Sequence, residues 1–202
     1  MSSRCLSICA ACIASLCISL LAYSSPAIGP LEAQIMCAQR GVPSQPITTG
    51  MLAEAANEFA HLSHSEGHTL ICEVGNDVPF YVESLSVQAT ADHPAALVIW
   101  MRQGITRIID RASMRFVVVH EIGHQILPVG DGGVCPEGDD IAANIACEHT
   151  VDDFAAHIIG LDDALHALSF GRSLIVAANR GALSIDIMDQ RIHLLRMRLS
   201  SS

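Results

Sequence analysis

The five residues His120-Glu121-Ile122-Gly123-His124 place two imidazoles four positions apart with a carboxylate between them. On an α-helix, positions i and i+4 sit one turn apart on the same face, so both rings reach one ion of tetrahedral preference while Glu121 stands beside it. Two nitrogen donors and an adjacent carboxylate are what an enzyme needs to acidify a water and take its proton as that water attacks an amide. This chemistry calls for one Zn²⁺ per chain, a third protein ligand and an open fourth position. The competing reading is a pair of core histidines around an accidental glutamate, but burying two imidazoles and a carboxylate without a metal leaves costly unpaired polarity.

The third ligand must come from elsewhere in the chain. A metzincin spacing would put Gly at 127 and His at 130, where this sequence has Leu127 and Gly130. Downstream, Glu148 and Asp152 stand at i and i+4, so one carboxylate can face the ion while the other orients a ligand imidazole through its distal N–H. His149 and His157 are rival donors. His149 points about 100° away from Glu148 on a helix, and His157 lies nine residues on, half a turn out of phase. Either could instead stabilise an oxyanion. His61, His64, His68, His93, His166 and His193 have no ligand spacing tied to this site.

HEIGH followed by Glu148, Asp152, Phe154 and Ala155 resembles the gluzincin zinc metallopeptidases, more narrowly the M48-like and minigluzincin group, over residues 112–157. The resemblance implies Glu148 as third ligand, Asp152 as its supporting partner and Glu121 as general base for peptide-bond hydrolysis. It also implies a zincin-like fold, with substrate lying as an extra strand along the sheet edge above the active-site helix. The run Ala95 to Met101, carrying Ala96, Val98 and Trp100, is the candidate edge, with a plain core strand as its alternative. The sequence departs from the family at Val151, usually Ala, and at two cysteines between the motifs. A late His-Pro element has no match, although Asp189-Gln190-Arg191-Ile192 is similar to the Arg-Ile that follows it.

The elements that position these residues read as an α+β fold: a small antiparallel or mixed sheet packed on an active-site helix, with a helical C-terminal half. Residues 25–47 look like an irregular arm, rich in Pro and Gly. Thr48 or Thr49 caps a helix whose Met51, Leu52, Ala55, Phe59 and Leu62 share a face. Strand-like runs span 68–74, 79–88 and 95–101. A helix opens near Asp110 and stops at Pro128, and a second runs from Asp139 or Asp140 to Gly160. Helices around 162–169 and 172–180 and a longer one over 184–199 complete a domain of residues 48–202.

All eleven basic residues are Arg against 21 acidic ones, for a net charge of −10, which disfavours nucleic acid and leaves a peptide or protein as the expected partner. Residues 5–23 are almost wholly apolar before Ser24-Ser25-Pro26, so residues 1–24 read as a signal peptide, or residues 5–23 as a membrane anchor. A cleaved signal makes the protein periplasmic or secreted; an uncleaved one leaves it membrane-anchored by residues 5–23, its only membrane contact. Four of the eight cysteines lie there. The other four allow three pairings, of which Cys37–Cys72 and Cys135–Cys147 are expected. Two further functions use the same ligands: a zinc-stabilised binding or sensor protein without activity, and a hydrolase of non-protein amides.

Overall fold

A computed structural model describes residues 28–63, 68–78, 82–129, 135–136 and 140–199. The expected leader, with its four cysteines, and His64 lie outside the described residues. The fold is α+β: among the described residues, seven helices accompany one four-stranded mixed sheet. Strands β1 (Ser44–Ile47), β2 (Thr69–Val74), β3 (Val82–Val87) and β4 (Ala96–Arg102) are ordered β1-β2-β4-β3. The β2/β4 pair is parallel, and β1 and β3 pair antiparallel at the outside.

Side chains of a strand alternate between faces, and β4 is apolar on both. Leu97, Ile99 and Met101 enter one core, while Ala96, Val98 and Trp100 enter a second core on the opposite face. The candidate substrate edge at Ala96, Val98 and Trp100 is therefore corrected. β4 is an interior strand, hydrogen-bonded on both sides, with these three residues fully buried. An edge strand could not carry so continuous an apolar run against water on one flank, and AALVIWM is the composition of a doubly covered strand. The outer edge over the site belongs to β3.

The second core is closed by α1 (Pro30–Cys37), which buries Ala33, Met36 and Cys37 against the sheet. This corrects the irregular arm expected over 25–47. Pro30 sits at the first helical position, where its missing N–H costs nothing, and Glu32 accepts the Gly29 N–H at 2.5 Å. Gly41, at φ 72°, ends the following 3-10 turn. Pro46 lies in β1, an edge strand, where a missing donor is tolerated. The Cys37–Cys72 disulfide and a 2.9 Å bond from Trp100 Nε1 to the Cys37 carbonyl fasten α1 to the sheet.

On the other face lie α2 (Gly50–Phe59), the short α3 (Gln103–Thr106), α4 (Arg111–Ile126), α5 (Ile141–Ile159), α6 (Leu161–Ala177) and α7 (Ala182–Leu199). Thr49 is the N-cap of α2, but its side chain makes no cap bond. Asp110 and Asp140 do cap, accepting from Ser113 N at 2.8 Å and Ala143 N at 3.0 Å. Gly160, at φ 98°, both ends α5 and opens α6. The two short helices expected over 162–180 are one continuous helix. Gly171 does not break it: glycine costs only about 1 kcal/mol in a helix interior, and packing of α6 on α4 and α7 outweighs that. No helix among the described residues is long and apolar enough to cross a membrane.

Candidate metal centre

Helices α4 and α5 meet at a glycine. A Cβ on Gly123 would lie 2.8 Å from Val151 Cγ1 and 3.1 Å from Phe154 Cδ1, so the fourth residue of HEIGH must be this small for α5 to approach. The approach brings Glu148 to the two histidines. His120 Nε2 and His124 Nε2 are 3.1 Å apart, and the Glu148 carboxylate oxygens lie 3.3 Å from the first and 3.8 Å from the second. With metal–ligand bonds of about 2.0–2.1 Å, the edges of a tetrahedral site are about 3.3–3.4 Å. The two nitrogens and the nearer Glu148 oxygen stand close to those spacings, the second oxygen is a little wider, and two imidazoles with one carboxylate are a donor set that zinc accepts; one ligand atom from each residue lies within 4.8 Å of the others.

Behind the ligands, Asp152 is wholly buried, with Oδ1 3.0 Å from His120 Nδ1. The approach lacks hydrogen-bond alignment, so the two groups are held by charge. The stronger partner of Asp152 is Arg191 on α7, whose guanidinium donates to both carboxylate oxygens, from Nε at 2.8 Å and Nη2 at 2.7 Å. The same guanidinium reaches the Glu148 carboxylate through Nη1 at 3.1 Å. One arginine thus bridges the Asp152 and Glu148 carboxylates and holds them in fixed relation.

Burial by itself would drive His120 toward neutrality, but Asp152 and Glu148 outweigh it and push the ring up to about 10. Burial would likewise raise the Glu148 carboxyl. His120, then Arg191 and His124, hold it down at about 2. Asp152 is depressed further by the Arg191 charge and hydrogen bonds, against its own burial. The cluster is therefore an array of alternating charges, and the proton on the His120 ring is what a cation would have to displace in order to bind there.

No family model, curated protein or solved structure matches this chain.

Glu121 points to the side of the cluster that faces β3, where Ser84 Oγ donates to its Oε2 at 2.5 Å. One turn on, Ser86 Oγ donates to Gln125 Oε1 at 2.6 Å. Beside Glu121 opens a cavity of about 350 Å³ between α4, α6, α7 and β3. Its wall is apolar apart from Ser113, His120, Glu121 and Arg191, with Phe116, Val117, Leu168, Phe170 and Leu174 among its larger members. The oxyanion candidates fare differently: His157 is exposed and joins nothing at the site, while His149 is partly buried with an Nδ1 that has no partner among the described residues. The Cys135–Cys147 disulfide ties the residue before Glu148 to the loop after α4, and Cys135 Sγ lies 3.9 Å from His124 Nδ1.

Two residues that contact this cluster are not legible as such in the sequence. Ser84 carries no signal in a single sequence, since a serine on a half-buried strand is ordinary. Arg191 was visible only as half of a motif; its charge on the inward face of an amphipathic helix, with Ile192 and Leu195 buried nearby, was the available cue.

Proposed function

We propose that this protein is a zinc-dependent peptidase of gluzincin type, with His120, His124 and Glu148 as ligands and Glu121 as general base. The observation that carries the reading is the convergence of His120 Nε2, His124 Nε2 and the Glu148 carboxylate within 4.8 Å of one another, with the Glu121 carboxylate engaged by Ser84 instead. A Zn²⁺ so held supplies a Lewis acid for a scissile carbonyl and lowers the pKa of a water to about 7. Glu121, with Oε2 engaged by Ser84, offers Oε1 to accept the proton of the attacking water and to return it to the leaving amine. Asp152 and Arg191 fix the His120 ring and the Glu148 carboxylate so that neither has to reorganise.

The substrate is an extended peptide. β3 ends the sheet among the described residues, so its outer backbone edge is available to pair with an added strand. The neighbouring cavity would receive a large apolar side chain next to the cleaved bond, its polar end at Glu121 and Arg191 aligning with the peptide backbone. Two disulfides fit an oxidising compartment, and hence a periplasmic or secreted enzyme.

The deciding experiment is Glu121→Gln beside Glu148→Ala. The first should retain about one zinc per chain while peptide cleavage is lost, and the second should lose the metal itself. Cleavage by Glu121→Gln at the wild-type rate would overturn the assignment of the base.

A further inference from the structure

β3 and α4 meet with matched repeats. Two residues along a strand advance about 6.7 Å, and four along a helix advance about 6.0 Å. Two successive hydrogen-bonded pairings use that near-equality, and the positions one repeat earlier line the same cavity. Val82 and Val117 share the wall of the cavity, Ser84 bonds Glu121 at 2.5 Å and Ser86 bonds Gln125 at 2.6 Å. The strand positions are i, i+2 and i+4; the helix positions are i, i+4 and i+8. The alternate face of β3 is occupied differently, with Glu83 paired to Arg40 at 2.7 Å and Val87 buried in the second core. Nothing on that face is directed at the site, so a one-residue slip of the strand would replace Ser84 by Glu83 or Leu85 opposite Glu121.

The middle pairing is the one that touches chemistry. A glutamate side chain has three rotatable bonds, and a base that must meet a water in one orientation gains from being fixed before substrate arrives. A hydroxyl donating to a carboxylate is a short, charge-assisted bond that does this. We propose that Ser84 is the positioning residue of Glu121: it occupies Oε2, presents Oε1 for proton transfer and references the base to the strand on which the peptide docks. The inference rests on the peptidase reading above. Because β3 is also the outer strand of the sheet among the described residues, the docked peptide backbone and the base, which α4 carries, are both referenced to the same strand. Ser86 has a different task, fixing the lie of the strand through Gln125 without touching the base.

The test uses full-length protein loaded with Zn²⁺ and a quenched fluorescent peptide library, with Ser84→Ala, Ser84→Thr and Ser86→Ala as variants. Ser84→Ala should keep about one zinc per chain and a KM near the wild-type value, while kcat falls on the order of ten- to a hundredfold, the scale of a misplaced catalytic group. Ser84→Thr, which restores the hydroxyl, should recover most of kcat; Ser86→Ala should change KM more than kcat. A kcat for Ser84→Ala equal to wild type, or a Ser84→Thr as slow as Ser84→Ala, overturns the proposal. Should wild type cleave no peptide, the peptidase reading falls, and crystal structures of zinc-loaded wild type and Ser84→Ala then decide the positioning role. A Glu121 carboxylate in the same place in both overturns it, and one displaced or spread over several rotamers in the variant upholds it.

Discussion

Gly123 and Val151 leave no room for a methyl group between them: a Cβ on the glycine would stand 2.8 Å from Val151 Cγ1. Val151 is β-branched and stiff at χ1, and it is fully buried, so it has nowhere to retreat. Gly123→Ala should therefore push α5 away from α4 and withdraw Glu148 from the histidines. The expected result is a folded protein with metal affinity reduced at least tenfold, measured by competition with a chromogenic chelator. Undiminished affinity would mean that the helix contact does not set the ligand spacing. Pairing the change with Val151→Ala, the residue usual in the resembling family, should restore binding.

Arg191 compensates the buried Asp152 carboxylate and the partly buried one of Glu148, and removing one member of such a network leaves an uncompensated charge, at a cost of about 3–5 kcal/mol. Arg191→Met should lower the melting temperature of metal-free protein sharply. A bound dication supplies positive charge to the same carboxylates, so saturating zinc should raise the melting temperature of the variant by more than it raises that of wild type. Equal zinc-induced shifts in both proteins would separate Arg191 from the metal centre and make it a purely structural residue.

The pH behaviour of metal-free protein follows from His120 and Glu148. His120 is raised from 6.5 to about 10, so its stabilising contribution is complete below about 6.5 and disappears as pH climbs toward 10. Glu148 is lowered from 4.5 to about 2, so its contribution is complete above about 4.5 and disappears as pH falls toward 2. Stability should plateau between these limits. Near pH 7.5 the His120 ring is protonated, and a metal ligand must be neutral, so binding should release about one proton per zinc. Calorimetric titration in buffers of different ionisation enthalpy measures that number, and a value of zero would place His120 outside the ligand set.

Much of this architecture was legible because it is written in local signals. HEIGH, the E-x-x-x-D spacing, Asp110 and Asp140 as caps, and Pro128 and Gly160 as stops each act within a turn or two, and each lies where its residue type requires. Strand order is not local. Ala95 to Met101 reads as an apolar strand in any position, and only its pairing with both β2 and β3 makes it interior and hands the outer edge to β3. The same limit hid Ser84, which reaches Glu121 across 37 residues of sequence. The helix at Pro30–Cys37 is hidden for another reason: Pro and Gly read as breakers, whereas here Pro30 opens the helix and Gly41 closes the 3-10 turn that follows it.

Gly171 lines the cavity beside Glu121, from a face of α6 where a Cβ would meet only the Met188 Cε at 3.4 Å. Gly171→Leu should extend a side chain into that space and gain helix propensity at the same time. Peptides with a large apolar residue next to the cleaved bond should then lose kcat/KM by at least tenfold relative to those with Ala at that position, with zinc content unchanged. A uniform change across both peptide classes would show that the cavity does not select the substrate.

The two disulfides are placed for different work, and removing each should have a different consequence. Cys37 and Cys72 are wholly buried in the second core, remote from the ligands, so Cys37→Ser/Cys72→Ser should reduce stability with little effect on the zinc affinity of the folded fraction. Cys135 and Cys147 instead close a 12-residue separation between the loop after α4 and the residue before Glu148. Opening it returns on the order of 3 kcal/mol of loop entropy to the unfolded chain, and it also frees the start of α5, where Glu148 sits barely two turns in. Cys135→Ser/Cys147→Ser should thus weaken zinc binding even where the fold, followed by circular dichroism, is intact. If instead both double variants bind zinc as tightly as wild type, the packing of Gly123 against Val151 and the Arg191 bridge suffice to place Glu148, and the second disulfide serves stability alone.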